Sequence, residues 1–135
     1  MIREKSCGAV IFRMEEGERK YLILRSTKGH TSLCKGHVER NETERQTARR
    51  EILEETGLEV AFLEGFREVI AYSPSEGHIK DVVFFAAEWA AGEPVCQPEE
   101  VAEIYFLPYA KARKALTHAS DRQVLDKAEE FLNGR

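Results

Sequence analysis

The sequence has no long hydrophobic run, few cysteines and no excess of basic residues. None of its 135 residues lie in a stretch that approaches the roughly 20 apolar positions of a membrane-spanning helix, so we expect no membrane insertion. The 3 cysteines are widely separated, without a C-x-x-C pair, which excludes a disulfide scaffold and favours reduced thiols in the cytoplasm. With 20 Lys and Arg against 24 Asp and Glu, the net charge of −4 excludes a global basic field for nucleic acid.

The composition is that of a folded chain. Hydrophobic residues make up 42% and charged residues 33%, which is enough apolar material for a core and excludes a disordered chain. The sequence shows no repeat, no low-complexity segment and no linker rich in Pro, Gly or Ser. Because the length fits one ordinary domain, we predict a single domain over residues 1–135.

Apolar and β-branched residues predict strands in both halves of the chain. The predicted strands cover about residues 5–12, 21–24, 59–72, 79–89 and 103–107. Polar turns are predicted at 15–18 and 73–77, and segment 27–41 is predicted to be irregular.

Two regions have the spacing of helices. One covers about residues 43–56, with Asn41 as N-cap and Gly57 just past its end. The other is a C-terminal tail that Pro108 opens, split near 117–120 and resuming over about 121–132. Together with the strands, they predict an α+β fold with a mixed sheet, a central helix and C-terminal helices.

The central helix presents three carboxylates on one face. At about 100° per residue, Glu51, Glu54 and Glu55 share an arc of roughly 100°, while Ala48 and Ile52 fall on the adjacent face and pack inward. Like charges at this spacing repel one another. Since clustered carboxylates suit hard divalent cations, and Mg²⁺ is often shared with substrate phosphates, the helix predicts a metal site.

A glycine-containing loop with cationic side chains precedes this helix. Its residues Gly29, His30, Lys35, Gly36 and His37 are suited to hold a phosphate through backbone amides and nearby positive charge. Acidic helix and basic loop together suggest a metal-assisted reaction on a polyphosphate. On the helix alone, a solvated acidic face is the other interpretation.

The spacing of these residues resembles the signature of the Nudix hydrolases. Gly36 is followed after five residues by Glu42, and seven residues later come Arg50-Glu51-Ile52; one residue then separates them from Glu54-Glu55, and one more from Gly57-Leu58. All nine defined positions of the signature match. A chance match per starting point is on the order of 10⁻⁹ at average residue frequencies.

Further segments are similar to the asymmetrical diadenosine tetraphosphate hydrolase branch of that family. They include SCGAVIFR, YLILR and KGHVE in the first part of the chain. The resemblance implies an α/β/α sandwich in which the signature forms a loop, a helix and a loop. It also implies Mg²⁺- or Mn²⁺-dependent hydrolysis of a nucleoside diphosphate linked to another moiety, such as diadenosine tetraphosphate, which is split to ATP and AMP.

The same resemblance implies roles for the signature residues. Glu51, Glu54 and Glu55 would bind the metal together with the carbonyl of Lys35, and Arg50 would orient the glutamates. Glu51, Glu54 or a further carboxylate would act as the general base. Outside these positions, Glu42 would brace the loop, and Gly36 and Gly57 would serve backbone geometry.

Other site residues are expected outside the helix. Glu100 is our choice for the additional catalytic carboxylate, with Glu99 and Glu103 as alternatives. Candidate phosphate contacts are Lys35, His37 and Lys80, although a solvated lysine is an alternative for Lys80. Tyr72 would stack on a base, and an ordinary core or surface aromatic is the alternative.

One departure from the branch leaves the substrate open. Thr31 and Cys34 stand where the branch usually has a tryptophan and a proline. Other substrates therefore stay in view, namely oxidised nucleoside triphosphates, RNA 5′-triphosphate ends, ADP-ribose and diphosphoinositols. A catalytically silent nucleotide-binding regulator is a third hypothesis. The expected partner is a small nucleotide, nucleic acid enters only as a 5′ end, and the oligomeric state is open.

Overall fold

The computed structural model describes residues 1–97 and 99–135, which form seven strands and three helices. In chain order these are β1 (Ile2–Glu15), β2 (Glu18–Ser26), β3 (Thr31–Ser32), β4 (Cys34–His37), α1 (Glu44–Thr56), β5 (Glu59–Ser75), β6 (His78–Ala91), β7 (Val101–Pro108), α2 (Tyr109–Ala115) and α3 (Ala119–Asn133). The predicted α+β class is confirmed.

The strands form one mixed sheet between two helical layers. Its main order is β3-β2-β1-β6-β5, with β4 also paired to β1 and β7 to β2. The pairing of β1 with β6 is parallel and the others are antiparallel. Central strand β1 is buried on both faces, since Val10 and Phe12 pack in the core with α2 and α3, whereas Ala9 and Ile11 pack in the core with α1. This arrangement confirms the α/β/α sandwich.

The hairpin turns are tighter than the sequence predicted. Glu16 and Gly17 both have positive φ, 52° and 81°, as in a two-residue hairpin turn. Glu15 and Glu18, predicted as turn residues, are therefore paired with each other in the strands. The second turn likewise shrinks to residues 76–77.

Segment 27–41 is not irregular throughout, because it contains β3 and β4. Strand β4 runs antiparallel to β1, with Lys35 opposite Gly8 and Cys34 opposite Ala9. The prediction was wrong because a strand distant in sequence supplies the hydrogen-bonding partner, which local residue types do not reveal.

The N-terminus of α1 is capped by Thr43 rather than by Asn41. The Thr43 hydroxyl accepts from the Gln46 amide at 3.1 Å, and the Gln46 side chain accepts from the Thr43 amide at 2.9 Å. This capping box satisfies two amides reciprocally. Asn41 lies in the preceding turn with φ 64°. At the other end Gly57 has φ 74° and its amide bonds the Leu53 carbonyl at 2.9 Å, as its predicted position requires.

The helical tail is divided as predicted, since α2 ends at Ala115 and α3 begins at Ala119. Within the described ranges, no helix is long and apolar enough to cross a membrane. All three cysteines are free thiols.

Candidate active site

Strand β4 brings the first signature glycine against the acidic helix. Gly36 pairs with Cys7, a residue of the core that α1 covers. A Cβ atom at Gly36 would lie 1.9 Å from Cδ of Glu51, so the missing side chain leaves the space that the Glu51 carboxylate fills. Gly57 has a left-handed backbone, whereas Gly36 does not have a positive φ, and it is the missing side chain of Gly36 that permits this close approach.

Arg50 donates hydrogen bonds to three carboxylates at once. Its Nε and Nη2 donate to the two oxygens of Glu42 at 2.7 and 3.0 Å. Its Nη1 donates to Glu51 at 2.8 Å and to Glu54 at 3.2 Å. Nη2 also donates to the His37 carbonyl at 2.8 Å, so one guanidinium fixes the end of β4 relative to the acidic face of α1.

Glu42 is held inside the loop between β4 and α1. It accepts hydrogen bonds from the Glu39 amide at 2.9 Å and from the Thr47 hydroxyl at 2.8 Å, in addition to those from Arg50. The Arg50 hydrogen bonds are the main reason why the pKa of Glu42 falls to about 2. Glu42 is thus ionised and saturated with donors, which suits a bracing residue better than a metal ligand.

The helix glutamates and a second acidic segment line one cavity, which we call the acidic cleft. Its volume is about 260 Å³. The lining residues are Glu51, Glu54, Glu55, Gln97, Glu99 and Glu100. Of the candidates outside the helix, Glu99 and Glu100 are therefore placed beside the helix carboxylates. Glu103 instead accepts from Nη1 of Arg25 at 2.8 Å.

Glu55 is a half-buried carboxylate of the acidic cleft. The pKa of Glu55 is raised to about 7, chiefly by burial and also by the charges of Glu51 and Glu100, while the hydrogen bond from the Cys34 thiol and the positive charge of Lys35 lower it. The thiol contact joins Cys34 Sγ to Glu55 Oε2 at 3.3 Å. Protonation is favoured here because negative charges crowd a poorly solvated cleft.

The acidic cleft fits a hard divalent cation. Among the described residues, no three Asp, Glu, His or Cys side chains already stand together as a complete protein ligand set. Mg²⁺ does not require such a set, because it keeps several waters and usually takes one or two carboxylates plus substrate phosphates. The raised pKa of Glu55 supports the fit, since a bound cation would stabilise the negative charge that burial and the neighbouring carboxylates disfavour.

A larger cavity of about 460 Å³, here called the α3 pocket, lies between the sheet and the start of α3. It is lined by Ser26, His30, Ser32, Lys35, Ile70, Tyr72, His118, Ser120 and Asp121. A small cavity of about 130 Å³ shares Ser26, Ser32 and Lys35 with the α3 pocket, and Glu55 and Glu100 with the acidic cleft. The three cavities therefore adjoin one another, with Lys35 at the junction.

Two of the four predicted substrate contacts, Lys35 and Tyr72, line the α3 pocket, and Lys80 and His37 are not among its lining residues. Tyr72 is 41% exposed, so the core alternative for this ring is wrong. Lys80 lies opposite Tyr72 in the β5–β6 register. Burial, and to a lesser extent the positive charge of Lys35, lower the pKa of Lys80. His37 is exposed at the end of β4, where its carbonyl binds Arg50.

Thr31 and Cys34, the two departures from the family pattern, both have structural partners. The amide of Thr31 donates to the Thr117 hydroxyl at 2.8 Å, and its carbonyl accepts from the Thr117 amide at 3.0 Å. These bonds attach β3 to the segment before α3. Cys34 is buried against the α1 side of the sheet, and burial raises the pKa of its thiol, which stays protonated.

Sequence reasoning missed several residues that line these cavities, among them Asp121, His118 and Gln97. Asp121 is 4% exposed in the first turn of α3, and burial raises its pKa. His118 stacks on His30 with ring centroids 5.7 Å apart, and Gln97 lines the acidic cleft. The sequence offered a signal for Asp121 alone, which stands at the start of an apolar helical pattern. His118 and Gln97 are brought to the cavities by tertiary contacts, which the local sequence does not reveal.

Comparison with known proteins identifies the family. The model of the NUDIX domain matches residues 3–128, and the chain belongs to this family. The Mycobacterium tuberculosis protein MutT4 is 32% identical over 141 aligned positions, which cover 98% of this chain and 57% of that protein. The asymmetrical bis(5′-nucleosyl)-tetraphosphatase of Mus musculus is 35% identical over 95 residues, covering 62% of this chain and 64% of the mouse protein. The chain thus matches 57% and 64% of the lengths of these relatives.

Solved structures have the same fold. A Caenorhabditis elegans Ap4A hydrolase, crystallised as a binary complex, superposes with a TM-score of 0.89 and 27% identity, covering 98% of this chain and 99% of that one. The NUDIX domain of Shewanella oneidensis NrtR, crystallised with ADP-ribose, superposes with a TM-score of 0.77 over 98% of this chain and 90% of that one, at 18% identity. The second likeness bears on the fold alone.

Proposed function

We propose that this chain is a metal-dependent pyrophosphohydrolase whose preferred substrates are dinucleoside polyphosphates such as diadenosine tetraphosphate, split to ATP and AMP. The observation that carries this proposal is the adjacency of the acidic cleft and the α3 pocket through a junction lined by Lys35, Glu55 and Glu100. A polyphosphate across that junction would place a base in the pocket and a phosphoanhydride at the carboxylates. The likeness to Ap4A hydrolases over most of the chain supports this substrate class.

Glu51, Glu54 and Glu55, with the carbonyl of Lys35, would hold Mg²⁺ or Mn²⁺. When bound, the ion neutralises phosphate charge and lowers the pKa of a coordinated water. Glu51, Glu54 or Glu100 accepts the proton of the attacking water, since all three line the acidic cleft. In-line attack on phosphorus then displaces a nucleotide without a nucleophilic side chain.

The remaining residues position the substrate and the carboxylates. Lys35 lines the junction, where its positive charge offsets the phosphates, and Lys80 lies opposite Tyr72 of the α3 pocket. Arg50 holds Glu51 and Glu54 through its Nη1 atom. Tyr72 offers an exposed ring at the wall of the α3 pocket on which a base stacks.

A second candidate is hydrolysis of an oxidised nucleoside triphosphate. The buried carboxyl of Asp121 at the α3 pocket favours it, because such a group can distinguish the hydrogen-bonding edges of bases. RNA 5′-triphosphate ends, ADP-ribose and diphosphoinositols are the other substrates to compare.

The test is a substrate panel measured in parallel with Mg²⁺ and Mn²⁺. Product masses identify the bond that is cut, and reactions in ¹⁸O water identify the phosphorus that is attacked. We expect diadenosine tetraphosphate to give ATP and AMP, and to be cleaved faster than the other substrates. Faster cleavage of another pyrophosphate would reject the preferred substrate. Saturable binding without metal-dependent products would reject an enzyme.

Arg50→Ala is expected to lower kcat/KM by about ten- to a hundredfold, the range found for residues that orient metal ligands. Glu51 and Glu54 lose a shared donor in this variant, and the His37 carbonyl loses its contact to α1. Steady-state kinetics with circular dichroism checks this. Arg45→Ala is the matched control, because Arg45 lies on the same helix but pairs with the exposed Glu64. Equal activities of the two variants would contradict the role of Arg50.

Tyr72→Ala is expected to raise KM several-fold and to leave kcat nearly unchanged. Stacking on an exposed ring contributes about 1–3 kcal/mol per base, and this contribution is present in both the bound substrate and the transition state. Initial rates over a range of diadenosine tetraphosphate concentrations separate the two constants. Tyr72→Phe keeps the ring and should behave like the parent. A parental KM for the alanine variant would show that the ring does not contact the substrate.

A further inference from the structure

The segment before β7 is attached to the C-terminal turn of α1 by two hydrogen bonds. The side-chain amide of Gln97 donates from Nε2 to the Glu54 carbonyl at 2.5 Å. The amide of Val95 donates to the Thr56 carbonyl at 2.8 Å. Both acceptors belong to the last turn of α1, where carbonyls have no partner within the helix. The segment therefore satisfies the helix end and is held against it.

The main chain of the same glutamine organises the turn that follows. The Gln97 carbonyl accepts from the amide of Glu100 at 3.0 Å and from that of Val101 at 2.8 Å. On the far side, the Thr27 amide donates to the Glu100 carbonyl at 3.2 Å. Glu100 is thus fixed at both its amide and its carbonyl, and one of these two attachments runs through Gln97 to α1.

We propose that Gln97 is a positioning residue that sets the carboxylate of Glu100 opposite Glu54 and Glu55 by bridging the acidic turn to the main chain of α1. The Gln97 side chain lines the acidic cleft together with Glu99 and Glu100. It therefore lies between the glutamates of α1 and those of the turn before β7. The Gln97 side chain donates to the backbone carbonyl of Glu54. It therefore fixes the turn relative to α1 and leaves the carboxylates of Glu54 and Glu100 free of this hydrogen bond.

This inference rests on the proposed function, because it assigns Glu100 a part in hydrolysis. Displacement of a reacting group by about 1 Å can cost about a hundredfold in rate. Loss of the bridge should consequently lower kcat and leave KM nearly unchanged, since the α3 pocket is not touched. A glutamine that merely stabilised the fold would instead change the melting temperature without acting through Glu100.

The experiment compares Gln97→Ala and Gln97→Met with the parent. The methionine variant keeps the approximate length of the side chain and removes the N–H donor without adding charge to the acidic cleft, so it tests the hydrogen bond even where the alanine variant folds poorly. Gln123→Ala is the matched control, because Gln123 is exposed on α3. Both Gln97 variants should lose at least about tenfold in kcat, and the control should match the parent.

A double-mutant cycle with Glu100→Gln tests the route of the effect. Addition of Gln97→Ala to Glu100→Gln should cost less than twofold, because the carboxylate that the bridge positions is already gone. The proposal would be overturned if the kcat losses of the two single variants multiplied in the double variant. It would also be overturned if Glu100→Gln were as active as the parent. Parental activity of both Gln97 variants would also overturn it.

Hydrogen exchange supplies a readout that does not depend on activity. The amides of Val95, Glu100 and Val101 should exchange faster in Gln97→Ala than in the parent, whereas the amides of β1 should not change. Unchanged exchange at these three amides would overturn the bridge. If the parent turned over no nucleotide in the substrate panel, the proposed function would fail, and the exchange rates would still decide whether Gln97 holds Glu100 in place.

Discussion

Glu54→Gln is expected to lower kcat by more than about a hundredfold while the fold is retained. Residues that only orient metal ligands cost about ten- to a hundredfold, and a carboxylate that holds the ion directly should exceed that range. The fold should persist because the Glu54 side chain is 55% exposed and, within residues 1–97 and 99–135, accepts a single long hydrogen bond, at 3.2 Å, from Arg50. Its backbone carbonyl, which binds Gln97, is unaffected by the substitution.

The measurement combines kcat in saturating Mg²⁺ with calorimetric titration of Mn²⁺ into the variant. Weaker binding of Mn²⁺ should accompany the lost turnover. Glu130→Gln is the matched control, because it removes one exposed glutamate charge from α3. Near-parental turnover of Glu54→Gln, with a parental circular dichroism spectrum, would remove Glu54 from the metal site.

The acidic face of α1 could be predicted because its determinants are local. A spacing of three and four residues fixes which side chains share a face of a helix, whatever lies around it. The same periodicity placed Ala48 and Ile52 inward, and both are fully buried. The C-terminal glycine of the helix was also predictable, since a left-handed residue at that position favours glycine strongly.

Elements that depend on distant partners could not be predicted in this way. Strand β4 is only four residues long, and it exists because β1 offers a hydrogen-bonding edge. The N-cap was misassigned for a related reason: Asn41 and Thr43 are both good cap residues, and the reciprocal bond with Gln46 decides between them.

The lining of the two cavities also combines residues that the local sequence could predict with residues that tertiary contacts bring in. Glu51, Glu54 and Glu55 come from one helix, whereas the wall opposite them comes from a segment more than forty positions later in the chain. Lys35 could be proposed as a phosphate contact from its place beside a glycine. Its position at the junction of the cavities depends on β4 and on the docking of α3.

Gly36→Ala is expected to impair activity strongly and stability little. The new Cβ would lie 1.9 Å from Glu51 Cδ and 2.1 Å from Glu51 Oε2. These atoms belong to the far end of a flexible side chain, so Glu51 can move away while the backbone stays in place. The displaced carboxylate would lose its 2.8 Å contact with Arg50 and its place in the acidic cleft. We therefore expect a loss of at least about tenfold in kcat/KM.

Gly8→Ala provides the opposing case on the neighbouring strand. Its Cβ would lie 1.9 Å from the Cys34 carbonyl oxygen and 2.7 Å from Lys35 Cα, which are backbone atoms of β4. They cannot withdraw without separating β4 from β1, so stability should fall by about 1–3 kcal/mol or more. Urea unfolding and steady-state kinetics on both variants distinguish the two mechanisms. Parental kcat/KM in Gly36→Ala would show that the position of Glu51 against β4 is irrelevant to the reaction, and parental stability in Gly8→Ala would show that the β1–β4 pairing yields easily.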